Sequence, residues 1–219
     1  MDGRPTLIYL LRHGEVVLAE TRRFVGHLDV PLSPRGEAQC AVQAARLRRE
    51  PLAAVFTSDL SRAVRSGEII GAPHGLAPTP LPELREMNMG RWDGLTPAQL
   101  EEREPNAFHD WMARVGEYPF PGGEDVASLV ARVWPAFEAI VAAHAGQAVA
   151  VVAHSGSNRA IICRALELPL TRLIAFGQDY AALTVLEHAA GRWRLLRLNE
   201  RPEVSPVSPA VDSSPVDIA

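Results

Sequence analysis

The chain has 219 residues, of which 47% are hydrophobic and 22% charged, and a formal net charge of −4, a balance typical of globular proteins large enough to bury a core unaided. The slight acidity gives no reason to expect a nucleic-acid or anionic-membrane partner, and because all 22 basic residues are Arg, lysine nucleophiles and Schiff-base chemistry are excluded. Cys40 and Cys163 lie far apart in expected helices and suggest neither a disulfide framework nor a zinc site; with no apolar targeting core at the N-terminus and no run long enough to span a bilayer, a reducing cytoplasm is the expected location.

Leu7-Ile-Tyr-Leu-Leu-Arg12-His13-Gly14-Glu15 is an apolar run that ends abruptly on two potentially cationic side chains and a glycine, which reads as a buried strand. In an open α/β sheet, ligands sit outside the carboxyl ends of the strands, so Arg12 and His13 are placed to face one. Alone, the pair is better explained as a strand ending on solvated cations. Three later segments change that balance.

Residues 15–33, with Arg22, Arg23, Gly26, His27 and Asp29, have no steady period and are expected to form a functional loop beside the strand end. Ser33 and Pro34 open a helix as N-cap and first helical residue, with Ala38, Ala41, Val42, Ala45 and Leu47 as its apolar face. Leu52–Thr57 is the next strand, closing a β-α-β unit with parallel strands. It delivers Ser58-Asp59-Leu60-Ser61-Arg62-Ala63 to a helix start, where unpaired N–H groups and the helix dipole favour an anion. An ordinary capped helix with surface arginines is the alternative for that segment alone.

Residues 72–82 read as a loop or short edge strand, and Leu84–Gly94 fits neither period. A carboxylate, an amide and an indole between two glycines suit the lining of a site, although Asn88 and Trp92 serve equally well as packing residues. Thr96-Pro97-Ala98-Gln99 fits a capping box, and a second helical piece is expected over 105–115. After a sharp loop at Tyr118–Asp125, a helix carries Val126, Leu129, Val130, Val133, Phe137, Ile140 and Val141, is expected to bend at Pro135 and ends at Gly146. Ala148–Ala153 is then a buried strand that delivers His154-Ser155-Gly156-Ser157-Asn158-Arg159 to another helix start. Three strand-to-helix junctions with anion-compatible groups argue for one phosphate or carboxylate site. A hairpin is expected from Ala182–Glu187 and Arg192–Leu198, with Arg192, Arg194 and Arg197 facing solvent, and the Pro/Ser-rich stretch 201–219 has the composition of a mobile tail.

Together, Leu11-Arg12-His13-Gly14-Glu15, Ser58–Ala63, Glu86 before Gly90-Arg-Trp-Asp-Gly94, and Val152-Ala153-His154 resemble the histidine phosphatase superfamily, the phosphoglycerate mutase-like group, over roughly residues 6–198. The resemblance implies an α/β fold, a three-layer α/β/α sandwich with a mostly parallel central sheet, in a catalytic domain of residues 1–200. It implies His13 as nucleophile, Arg12, Arg62 and His154 as phosphoryl-holding groups, His154 becoming cationic with a bound dianion, and Glu86 as acid and then base. It implies no metal and no cofactor. Glu15, His27, Asn88, Trp92 and Ser155 are the candidates for the substrate side. Ser155 departs from the family, which commonly has glycine directly after this histidine, and leaves the geometry of the phosphate loop open.

The resemblance further implies a phosphomonoesterase acting on a small phosphorylated metabolite. Val16-Val17-Leu18-Ala19 replaces the Ser-x-Trp-Asn typical of the mutases, and the compact 95–125 region lacks their basic insertion. Pro121-Gly-Gly-Glu124, Asn158-Arg159 and Gln178-Asp179-Tyr180 look more like the branch that includes α-ribazole phosphatases and broad-specificity phosphomonoesterases, with α-ribazole 5'-phosphate the leading named substrate. Phosphoryl transfer of the mutase kind and a non-catalytic phospho-ligand module are the alternatives, and a homodimer is compatible with the sequence.

Overall fold

The structure, a computed structural model, describes residues 4–115 and 118–204; most of the expected tail lies outside them. Six strands form one mixed sheet: β1 (Thr6–Arg12), β2 (Leu52–Thr57), β3 (Pro78–Pro80), β4 (Ala148–Ala153), β5 (Leu183–Ala189) and β6 (Arg192–Glu200), in the order β3-β2-β4-β1-β5-β6. The first four positions in that order are parallel, while β5 runs antiparallel to β1 and β6 antiparallel to β5. The parallel edge is closed by a three-residue strand bearing Pro78 and Pro80, residues that cannot donate to a further strand.

Helices cover both faces, as expected of a three-layer sandwich. Tyr9 and Leu11 of β1 pack with Ala150 and Val152 of β4 beneath α1 (Pro34–Leu47) and α2 (Ser61–Gly71). Ile8 and Leu10 point the other way with Val149 and Val151, against α5 (Val126–Ala143) and α6 (Ser155–Ala165). Successive residues of a strand face opposite sides, so β1 and β4 bury both faces and read as continuous apolar runs. The short α3 (Pro97–Arg103) and α4 (Ala107–Ala113) extend the second core through Leu100 and Trp111.

Local signals match the elements closely. Ser33 Oγ accepts from Gly36 N at the start of α1, Thr96 and Gln99 form the reciprocal capping box of α3, and Asp125 accepts from Ser128 N at the start of α5. Two expectations need correction. The buried face of α1 carries Gly36, Gln39, Cys40, Gln43, Ala44 and Leu47, while Ala41, Val42 and Ala45 are exposed. The two buried glutamines satisfy backbone groups of neighbouring segments, Gln39 Oε1 accepting from Glu15 N and Gln43 Nε2 donating to Ala181 O and Glu200 O, so the polar residues lie inward. α5, for its part, is long and apolar enough to cross a membrane by length and composition, contrary to the expectation of no such run. In this fold its apolar side is core: Val126, Leu129, Val133 and Phe137 are fully buried, and the helix runs unbroken through Pro135.

Candidate active site

β4 lies between β1 and β2, and the register sets Arg12 beside Ala153 and Thr57 beside Val152. The residues leaving the three strands therefore emerge at one level: His13 N donates to Ala153 O at 3.0 Å and Ser58 N to Val152 O at 3.3 Å. The rings of His13 and His154 stand 5.0 Å apart, and Ser58 Oγ and His154 Nε2 share a 2.7 Å hydrogen bond. Three segments distant in sequence thus converge on one spot because β4, the last parallel strand in chain order, lies between β1 and β2.

The tautomer of His13 follows from its surroundings. Its Nδ1 lies 2.7 Å from Gly14 O, and a carbonyl can only accept, so Nδ1 carries the proton and Nε2 presents its lone pair. Burial holds the His13 pKa well below the usual histidine value, with Arg62 and Arg12 adding to the effect. His154 is held low in the same way, by burial first and then by Arg62 and His13. Both rings are neutral at physiological pH in this state.

The two arginines are anchored from behind. Arg62, fully buried, donates from NH1 to Leu28 O at 2.8 Å and from NH2 to Gly26 O at 2.7 Å, which ties α2 to the functional loop. Arg12 donates to Gln178 O at 2.6 Å, and its guanidinium stands 3.9 Å over the Tyr180 ring. Among the described residues, Arg12 Nε, Arg62 Nε and His154 Nδ1 are buried without a hydrogen-bond partner, three polar atoms able to serve an anion.

Glu86 comes from the irregular segment after β3. Its carboxylate accepts from Met87 N at 2.8 Å and from Gly156 N at 2.9 and 3.1 Å. A Cβ on Gly156 would stand 2.4 Å from Glu86 Oε1, so glycine in the first turn of α6 is what admits the carboxylate. The displaced glycine of the Ser155-Gly156 pair therefore has a use, and the Ser155 hydroxyl turns to Arg159.

A cavity of about 210 Å³ connects these groups. Arg12, His13, Arg23, Glu86, Ser155 and Tyr180 form its polar lining, and Val16, Phe24, Val25 and Met89 its apolar one. Arg62 and His154 are completely buried and are not part of its lining. Of the five proposed for the substrate side, only Ser155 is on the wall. Glu15 binds Ser33 Oγ and lies 3.8 Å from Arg35, His27 Nε2 donates to Glu86 O, and Asn88 Oδ1 accepts from Gly90 N. Trp92 is a core residue against Phe24 and Phe120. Tyr180, Arg23, Phe24 and Met89 escaped the sequence analysis as lining residues; Tyr180 reaches the site because β5 pairs with β1, which brings Ala181 N to His13 O at 3.0 Å. No group of three or more His, Cys, Asp or Glu side chains is gathered to hold a metal ion among the described residues.

The sequence profile of the histidine phosphatase superfamily, branch 1, matches residues 8–201. The chain belongs to that superfamily. Phosphoserine phosphatase 1 of Hydrogenobacter thermophilus is 31% identical over 192 residues, 88% of this chain and 91% of the relative. The solved mycobacterial glucosyl-3-phosphoglycerate phosphatase superposes with a TM-score of 0.82 at 30% identity, covering 90% of this chain and 100% of that one. A structure described as a putative α-ribazole-5'-P phosphatase from Escherichia coli has a TM-score of 0.82 at 23% identity, covering 91% and 98%, and shares the fold. The chain is a phosphatase of this superfamily.

Proposed function

We propose that the protein hydrolyses small phosphomonoesters through a phosphohistidine on His13, without a metal ion. The observation that carries the reading is the locked tautomer of His13, whose Nε2 lone pair is kept free by the Gly14 carbonyl behind it and by two buried guanidiniums beside it. In the first step Nε2 bonds to phosphorus and the ester P–O bond breaks, the leaving oxygen taking the proton of the Glu86 carboxylic acid. In the second, water attacks phosphorus, its proton passes to the Glu86 carboxylate, and the P–N bond returns its electron pair to His13. Arg12, Arg62 and His154 supply donors to the equatorial oxygens as charge spreads over them, the dominant task in phosphoryl transfer.

The cavity is compact, and its lining offers Arg23 beside an apolar patch of Val16, Phe24, Val25 and Met89. That suits a small ester with an acidic group near the phosphate. Phosphoserine and glucosyl-3-phosphoglycerate, named in two relatives of about this likeness, are esters of that kind, and we place them ahead of α-ribazole 5'-phosphate, whose support is a shared fold. The test is inorganic phosphate release in EDTA from a panel holding para-nitrophenyl phosphate, phosphoserine, phosphoglycerates and α-ribazole 5'-phosphate. Release that survives the chelator and is lost in His13→Ala is expected. Activity that survives in His13→Ala, or needs an added divalent ion, overturns the mechanism.

A further inference from the structure

Glu86 sits on a segment with no regular structure, yet an acid that must meet a leaving oxygen has to be held to within a fraction of an ångström. His27 donates to the Glu86 carbonyl from the functional loop, and one side chain on α5 fastens the backbone on either side of it. Arg132 donates from NH1 to Glu83 O at 2.7 Å and to Arg85 O at 3.1 Å, and from NH2 to Glu86 O at 3.2 Å. The same guanidinium forms a bidentate pair with Glu124, Nε to Oε1 at 2.9 Å and NH2 to Oε2 at 2.8 Å. Glu124 in turn accepts from Asn88 N at 2.9 Å through Oε2, while its own N–H donates to Asn88 O, also at 2.9 Å. Residues 83–88 are thereby fastened on both sides of Glu86 by one ion pair.

This pair differs from an ordinary surface bridge. Its side chains are only 23% and 19% exposed, and all three guanidinium nitrogens are engaged. Burial alone would push the Glu124 carboxyl up, but the Arg132 and Asn88 donors hold it below the usual carboxylate range. A planar fork with five N–H groups can span three carbonyls and a carboxylate together; a lysine ammonium cannot. α5 also contributes Leu129, which packs toward the Gly156 position that receives the Glu86 carboxylate, so one helix addresses both ends of the residue.

We infer that Arg132, with Glu124, is a positioning residue for the acid step, acting through the backbone of residues 83–88 to keep the Glu86 carboxyl aligned with the leaving oxygen. The inference rests on the reading of Glu86 as the acid, and the experiment separates the two. kcat/KM covers the steps up to departure of the leaving group, so it is measured for Arg132→Lys, Glu124→Gln and Glu86→Gln with two esters: dinitrophenyl phosphate, whose leaving group needs little protonation, and the best alkyl monophosphate from the substrate panel.

A misplaced acid costs the alkyl ester about 10- to 100-fold and the dinitrophenyl ester less than about threefold, in both Arg132→Lys and Glu124→Gln. Loss of folded enzyme lowers both esters equally, and circular dichroism of each variant measures that fraction. Equal losses on the two esters, or no loss on either, overturn the positioning role. If Glu86→Gln itself lacks the selective loss on the alkyl ester, the acid assignment falls and the inference falls with it; if Glu86→Gln shows the selective loss and the other two variants do not, the positioning role alone is overturned.

Discussion

His13 and His154 are buried where desolvation and neighbouring guanidiniums oppose their protonation, and that has a consequence for stability. In the unfolded chain both take up a proton near the ordinary histidine value, about 6.5, while in the folded chain they stay neutral to a much lower pH. Below about 6.5 the unfolded state binds more protons, so stability is full above that pH and falls as the pH drops through it, until the depressed folded values are reached. Each histidine contributes a slope of about 1.4 kcal/mol per pH unit in that window. Urea midpoints measured between neutral pH and about 5 are expected to fall steeply, and His13→Asn to remove about half of the slope contributed by the pair. An unchanged slope in His13→Asn would show that the ring is not buried neutral. At this scale the sequence was informative wherever the residue type coincided with the end of a strand, as for Arg12, His13 and His154, or with the first turn of the helix that follows one, as for Arg62. It was silent on Arg132, whose neighbours on α5 look like any amphipathic helix and whose partners are mostly carbonyls, groups that every residue carries.

Elements meet here by backbone approach as much as by side-chain packing. The exit of β1 touches the first turn of α1 so closely that a Cβ on Gly14 would stand 2.3 Å from Gly36 O, and one on Gly36 2.0 Å from Glu15 O. Both obstacles are main chain, so neither can rotate aside. Gly36→Ala is expected to lower the free energy of unfolding by about 1–3 kcal/mol, the usual cost of overpacking, and to lower turnover as well, since the segment it displaces is the one that carries His13. Equilibrium urea denaturation together with phosphate release measures both; a variant as stable as the parent would mean that the strand exit and the helix start do not meet as described. Capping signals were legible at this scale because they are local: Ser33-Pro34, Thr96 to Gln99 and Asp125 each open a helix through bonds to their own neighbours. The inward face of α1 was not, because Gln39 and Gln43 are buried by virtue of distant backbone groups at Glu15, Ala181 and Glu200, and apolar periodicity points away from them.

The whole molecule is a device for bringing the ends of β1, β2 and β4 to one level, and the sheet order that does so is a long-range property. The sequence showed three junctions of one kind and the expectation of a shared anion site; that β4 lies between the other two, and that β5 lays Tyr180 beside Arg12, depends on pairings no local pattern encodes. The same order links the fold to its ligand. An anion held by Arg12, Arg62 and His154 bridges segments separated by most of the chain, binds only when all three are assembled, and so stabilises the folded state by mass action. Inorganic phosphate, the product of the proposed reaction, is expected to raise the thermal midpoint progressively with concentration, by the equivalent of about 2.7 kcal/mol at a hundred times its dissociation constant. Sodium chloride at matched ionic strength controls for screening, which acts on exposed charges far more than on buried ones. His13→Ala is expected to keep the phosphate response although it loses turnover, because the holding groups come from three strands and the nucleophile is only one of the residues at their ends. A phosphate response no larger than that of chloride would mean that the three junctions, though adjacent, do not act as one anion site.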